Sequence, residues 1–139
     1  MMTLKCNNLV DRQLTMKLYE ASQAGVDIRL IVRGMCSLLP GVSGVSGNIE
    51  AISIIDRYLE HPRVYVFHNR GKPEYLLGSA DLMNRNIDYR LEVLCQIRET
   101  EIQNQIQDIL DQQWNDNTKA SVLDKDQENA LRERGKTTP

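Results

Sequence analysis

Aromatic side chains are scarce in this chain. They make up 5% of its 139 residues, with one tryptophan (Trp114) and one phenylalanine (Phe67). Stacking platforms for single-stranded nucleic acid are therefore not expected, and no nucleic-acid partner is inferred. Long apolar runs are also missing, all falling well short of the ~20 residues that a membrane-crossing helix needs. The start, MMTLKCNN, has no basic stretch followed by an apolar one, so no secretory signal is read there. Cysteine is limited to Cys6, Cys36 and Cys95, odd in number, widely spaced and without a C-x-x-C pair. This argues for reduced thiols in a cytoplasmic setting and against a zinc site, and no metal-ligand set is expected in this chain. Cys36 is expected to be a buried, inert thiol.

What is present is an ordinary globular composition, 41% hydrophobic and 26% charged, about one domain long. The net charge of −2 is unevenly spread: residues 1–98 carry 12 Lys and Arg against 10 Asp and Glu, whereas residues 99–139 carry 5 against 9. The body is thus mildly basic, and its basic set is mostly arginine, the side chain suited to forked contacts with phosphate.

Periodicity predicts a strand at Thr3–Cys6. A helix follows over Leu9–Ala24, with Val10, Leu14, Leu18 and Ala21 on one face, Asn8 and Asp11 at its start and Gly25 at its end. Val26–Val32 reads as a strand buried on both faces. A glycine-bearing loop then leads to a second helix, capped by Ser46 or Asn48, with Ile49, Ile52, Ile55 and Leu59 inward. Strands follow at 63–67, 74–77 and 90–97, and an amphipathic helix at 99–114 turns Ile102, Ile106, Ile109 and Leu110 inward. Beyond about Asn115 the pattern fades. The order β-α-β-α-β-β-β-α indicates an α/β domain with a mixed sheet flanked by helices. Residues 1–120 are read as the domain and 121–139 as a polar tail, partly disordered in isolation.

Several places could carry chemistry. Arg33 directly follows the strongest strand, where ligands collect in open α/β sheets; position alone balances a phosphate clamp against a surface ion pair. The loop Gly41–Gly47 invites a phosphate-loop reading, but it lacks the Walker ending and the G-x-G-x-x-G spacing, so a surface loop is favoured. Read from the residues alone, His61 is better explained by the negative end of a helix dipole than by catalysis. His68, in a polar turn, carries little functional weight. The stretch LLGSADLMNRNID is dense in polar groups. Ser79 or Asp81 could cap a turn, while Asp81, Asp88 and Glu92 could pair with Arg85 and Arg90, close to Asn86, to fix an array of guanidinium groups.

The segments NNLVD, GVDIRLIVRGMCSLLPG, SIIDRYLEHPRVYVF and GSADLMNRNIDYRLEV, in this order, resemble the C-terminal catalytic part of bacterial polyphosphate kinases over residues 4 to about 120. The resemblance implies a phospholipase D-like half domain, one of two α/β halves facing a shared site. In such folds an H-x-K motif carries the nucleophilic histidine, and GS-x-D-x-x-x-R-N follows on the next strand. The second element stands intact at Gly78–Asn86, whereas no H-x-K precedes it. The phosphorylated histidine, the magnesium-linked arginines and an ATP-contacting tyrosine are therefore expected in the missing half. The resemblance implies that Arg33 contacts ATP phosphates and that His61 binds ATP and assists catalysis, with Ser79, Asp81, Arg85, Asn86, Asp88 and Arg90 supporting the site. It implies reversible transfer of the terminal phosphate of ATP to polyphosphate, with Mg2+ held mainly by the absent half. The chain would be inactive alone, its partners being the rest of the kinase chain and, at full length, further copies. A cytoplasmic enzyme, associating at most peripherally with membrane, is expected. The Met1-Met2 start and the GKTTP ending read as the bounds of an excised domain. Two alternatives stay open: a degenerate phospholipase D-type phosphodiesterase half, or a non-catalytic polyanion-binding module.

Overall fold

The computed structural model describes residues 1–133. Its elements are β1 (Met2–Cys6), α1 (Arg12–Gln23), β2 (Ile28–Val32), β3 (Ile49–Ile54), β4 (Arg63–Phe67), β5 (Glu74–Gly78), β6 (Leu94–Ile97), α2 (Thr100–Trp114) and β7 (Ala120–Leu123). The strands form one mixed sheet in the order β6-β5-β4-β1-β2-β3-β7. β1, β2 and β3 are parallel to one another, whereas β4 and β7 run antiparallel to their inner neighbours. This is the α/β architecture with a mixed sheet that the sequence predicts.

Side-chain alternation explains why both faces are covered. On β2, Ile28, Leu30 and Val32 join the cluster that includes Leu18 of α1, while Ile31 joins the cluster that includes Leu110 and Trp114 of α2. β4 divides in the same way, with Tyr65 on the α1 side and Val64 and Val66 on the α2 side. Successive strand residues point to opposite faces, so the two helices lie on opposite sides of the sheet. α1 starts at Arg12, three residues later than predicted, capped by Asp11, whose carboxylate accepts the Leu14 backbone N–H at 2.8 Å. Gly25 ends it with φ of +84°, a conformation that glycine adopts without penalty.

Three expectations are corrected. The predicted second helix is β3. Its isoleucines at 49 and 52 match helical spacing, but Ile49 and Ala51 face one core and Ile52 and Ile54 the other, which is strand alternation. Ile55 and Leu59, expected inside, are exposed, Leu59 to 69%. The segment from Asn115 is not patternless: β7 pairs antiparallel with β3, and Ser121 bridges to Leu131. The sheet therefore continues past the boundary placed at residue 120, while residues 134–139 of the expected tail lie outside the described residues. Finally, the expected strand at 90–97 is shorter and exposed, and Ile102 and Ile109 of α2 face outward.

These assignments make opposite demands on two isoleucine-and-leucine positions. Ile52→Ala, removing a side chain only 1% exposed, should cost about 2–5 kcal/mol. Leu59→Ala should change stability by no more than about 0.5 kcal/mol. Urea unfolding of the two variants measures both; a helix over 49–59 would make the two losses alike.

Candidate functional site

Strand direction decides which residues meet. β1, β2 and β5 end at one edge of the sheet, and β4 and β6 begin there. Asn7 and Asn8, Arg33 and Gly34, and Ser79 to Asp81 leave the strands at this edge, while His61 to Arg63 and Glu92 enter them. His68 follows the far end of β4, at the opposite edge. The loop Gly41–Gly47 leads into β3 and not into a helix N-terminus, so the feature that invited a phosphate-loop reading is absent.

Asp81 gathers this edge together. It is 3% exposed. Its Oδ1 accepts from the Asn7 backbone N–H at 2.8 Å and from Arg63 Nε at 3.1 Å, and its Oδ2 accepts from Asn8 Nδ2 at 3.1 Å. Burial by itself would raise the carboxyl pKa. The hydrogen bonds from Arg63, the Asn7 backbone and Asn8, with the Arg63 charge, outweigh it and hold Asp81 below its ordinary value of 3.8. Asp81 is thus neither a helix cap nor a partner of Arg85 or Arg90, as the sequence had suggested.

Arg63 passes this order on to His61. Its Nη1 donates to His61 Nδ1 at 2.8 Å and to the His61 carbonyl at 3.1 Å. A guanidinium has donors only, so Nδ1 is the acceptor and the neutral ring holds its proton on Nε2. His61 is exposed, and its Nε2 has no protein partner among the described residues. The residue before it is anchored separately. Buried Lys5 on β1 donates to Glu60 Oε2 at 3.0 Å and to Gln113 Oε1 at 2.8 Å. That hydrogen bond and the Lys5 charge hold the Glu60 pKa below the ordinary carboxylate range.

The register brings this group against the end of β5: Arg63 lies opposite Gly78, so His61-Pro62-Arg63 sits at the head of the strand paired with the one that ends in Gly78.

Arg33 is held differently. Its Nε donates to Asn7 Oδ1 at 2.9 Å, its carbonyl accepts from Ser53 Oγ at 3.2 Å, and no carboxylate pairs with it among the described residues. It lines a cleft of about 330 Å³ with Gly34, Ser53, Ile55, Ser121 and Asn129. Gly34 is required by the protein's own packing: a Cβ there would stand 2.7 Å from Asn8 Oδ1 and 3.0 Å from the Asn7 carbonyl.

The remaining expected residues are only partly brought together. Ser79 Oγ donates to Glu92 Oε2 and accepts from the Val93 N–H, and Asn86 Nδ2 donates to Glu92 Oε1 at 2.7 Å. These three brace the 84–93 segment. Arg85, Asp88 and Arg90 are exposed and form no ion pair among the described residues, so the predicted guanidinium array does not form. Of the thiols, Cys6 is buried and Cys36 half-buried, and burial raises the pKa of both. Sequence reasoning missed Asn7, Asn8, Arg63 and the Lys5–Glu60 anchor. An Asn-Asn pair immediately after a strand, and the H-x-R spacing, were the available signals.

The donor set suits an anion. Asp81 and Glu92 direct their oxygens to N–H and O–H donors, and no three His, Cys, Asp or Glu side chains come together among the described residues. A hard cation such as Mg2+, which needs free carboxylate oxygen, does not fit these residues. The lowered Asp81 pKa fixes the sign of a pH effect. Its stabilising contribution is fully present above the unfolded value near 3.8 and is lost as pH falls through the lower folded value. Stability measured from pH 7 to pH 2 should therefore fall on the acid side. Asp81→Asn should lower stability at pH 7 by about 3–5 kcal/mol, because Arg63 loses its buried partner, and should flatten the acid limb. An unchanged acid limb in that variant would contradict this role.

Comparison with known proteins places this geometry. The family model described as polyphosphate kinase C-terminal domain 2 matches residues 1–139. The polyphosphate kinase of Vibrio cholerae is 59% identical over 133 residues, covering 96% of this chain and 19% of the relative. That of Escherichia coli strain K12 is 51% identical with the same coverage. The crystal structure of polyphosphate kinase from Porphyromonas gingivalis superposes with a TM-score of 0.95 at 42% identity, covering 99% of this chain and 21% of that one. The chain thus spans about a fifth of the length of the relatives it matches. It belongs to the polyphosphate kinase C-terminal domain 2 family, and its fold is that of a polyphosphate kinase domain.

Proposed function

We propose that this chain supplies part of the ATP-phosphate-binding surface of a polyphosphate kinase. The enzyme would transfer the terminal phosphoryl group of ATP reversibly to polyphosphate, through a phosphohistidine that lies outside this chain. The observation that carries the reading is Arg33: a half-buried guanidinium at the edge where β1, β2 and β5 end, held through Nε alone and paired with no carboxylate among the described residues. Its two Nη groups are available to the equatorial oxygens of a phosphoryl group, where charge must be stabilised during transfer.

The His61 tautomer supports the division of labour. With Nδ1 accepting from Arg63, the ring offers an N–H at Nε2, which is a donor to a phosphate oxygen and not a lone pair for nucleophilic attack. His61 is therefore read as a phosphate-binding residue that assists transfer, and the attacking histidine as one contributed by the missing half. The same point counts against a phosphodiesterase half, which would need that lone pair. Ser79, Asp81 and Asn86 act through the scaffold, and Arg85, Asp88 and Arg90 remain on the periphery of the surface. Mg2+, if the reaction uses it, is assigned to residues beyond this chain. Assembly into oligomers and a cytoplasmic setting with peripheral membrane contact rest on the family resemblance; among the described residues no helix is long and apolar enough to cross a membrane.

In the full-length kinase, Arg33→Ala and His61→Ala should each lower polyphosphate synthesis by about 10²-fold, the scale of losing one preorganised donor to a developing charge. Near-normal synthesis in both would overturn the assignment. The 139-residue chain alone should show no turnover of ATP with polyphosphate. Calorimetric titration of the same chain with ATP and polyphosphate separates the catalytic reading from that of a polyanion-binding module: binding by the chain, with no loss of activity in either variant of the full-length enzyme, would favour the module.

A further inference from the structure

The edge of the sheet holds two arginines, and it treats them in opposite ways. Arg63 is tied to a buried carboxylate, Asp81. Arg33 is tied to an amide: its Nε donates to Asn7 Oδ1 at 2.9 Å. Asn7 is itself among the most firmly placed residues of the site. It is 2% exposed, its backbone N–H donates to Asp81 at 2.8 Å, and its carbonyl accepts the Gly34 N–H at 2.6 Å. An acceptor in this position fixes the swing of the Arg33 guanidinium and leaves both Nη groups uncommitted. Because the acceptor is neutral, it places no counter-charge against the guanidinium.

The choice of amide is costly to the fold. Asn7 Nδ2 is buried and has no hydrogen-bond partner among the described residues, an arrangement that works against stability. An aspartate would have the same shape and would gain an ion pair with Arg33, at the cost of a second buried carboxylate near Asp81. Binding a polyanion disfavours that exchange, since a carboxylate on Nε would offset the charge that Arg33 offers to phosphate. Sites that break a rule of the fold tend to be sites kept for function.

We propose that Asn7 is a positioning residue for phosphate binding, which orients Arg33 through a neutral acceptor so that its charge is reserved for the phosphates of ATP or polyphosphate. The proposal rests on the reading of Arg33 as a phosphate clamp, and adds a residue and a physical reason to it. Asn7 acts through Arg33 and does not itself contact the reacting atoms.

The test uses the full-length kinase with N7D, N7A, R33Q and the double variants N7D/R33Q and N7A/R33Q. ATP KM, kcat and thermal midpoint are measured for each. N7D should raise the ATP KM about tenfold or more, the scale of one charge-assisted hydrogen bond. N7A, which loosens Arg33 without neutralising it, should raise KM less. Neither should add to the KM effect of R33Q. A purely structural role predicts the reverse pattern, with losses that follow the thermal midpoint and persist on the R33Q background. If R33Q raises KM while N7D leaves it unchanged, or if N7D and N7A raise it equally, the proposal fails and the clamp stands. If R33Q leaves KM unchanged, the clamp itself fails and the proposal with it. Should N7D not fold, the N7A–R33Q cycle decides: independent, additive effects on KM overturn the proposal, and a shared effect supports it.

Discussion

The buried ion pair between Asp81 and Arg63 is the contact on which the rest of this surface depends. Asp81 arrives from the loop after β5, and Arg63 opens β4. The same carboxylate takes the Asn7 N–H at the end of β1 and the Asn8 side chain. One buried acid therefore joins three chain segments that are far apart in sequence. A carboxylate removed from water is tolerated only when its lone pairs are satisfied, and here the Asn7 N–H, Arg63 Nε and Asn8 Nδ2 satisfy them. That requirement makes the site stiff. Asn7 cannot move without exposing Asp81, and Arg63 cannot turn from His61 without leaving Asp81 partly unpaired.

Two consequences for function follow from this stiffness. The arginine spent on Asp81 is not available to a ligand, but it sets the tautomer of His61 and so fixes which ring nitrogen carries the proton. The arginine not spent, Arg33, is held by a neutral amide and pairs with no carboxylate among the described residues. A surface with one neutralised and one unneutralised arginine presents its positive charge at a defined place. Under the proposed function, that is a more selective arrangement for an anionic substrate than a general excess of basic residues, and the mildly basic body of the chain accords with it.

How much of this was legible in the sequence depended on whether one pattern excluded the others. β1, β2, β4 and β5 and the two helices carry periodicities of one kind and were recognised within a few residues. β3 was not, because Ile49 and Ile52 satisfy helical spacing while Ile49, Ala51 and Ile52, Ile54 satisfy strand alternation. With both faces of the strand covered, no polar face remains to decide between them. β7 is four residues long in a polar context; it exists because the outer edge of β3 offers hydrogen bonds, which no local pattern reveals. In the candidate site, Arg33 and His61 were reached through family resemblance, and their positions at one edge follow from strand direction. The role of Asp81 was hidden, since a buried acid that holds an arginine looks the same in sequence as one that caps a helix. Asn7 and Arg63 were hidden for the same reason: their partners lie 26 and 18 positions away.

The central claim is that Asp81 and Arg63 fix His61 as a hydrogen-bond donor to phosphate, and one measurement addresses it directly. The chain contains two histidines, His61 and His68, so ring ¹⁵N spectra of the histidine-labelled chain at pH 8 can be assigned with a single His68 variant. The account predicts that His61 has a bare Nδ1 and a protonated Nε2, and that ATP or polyphosphate perturbs the Nε2 resonance while leaving His68 unaffected. A proton on Nδ1, or a His61 ring indifferent to both ligands, would contradict it.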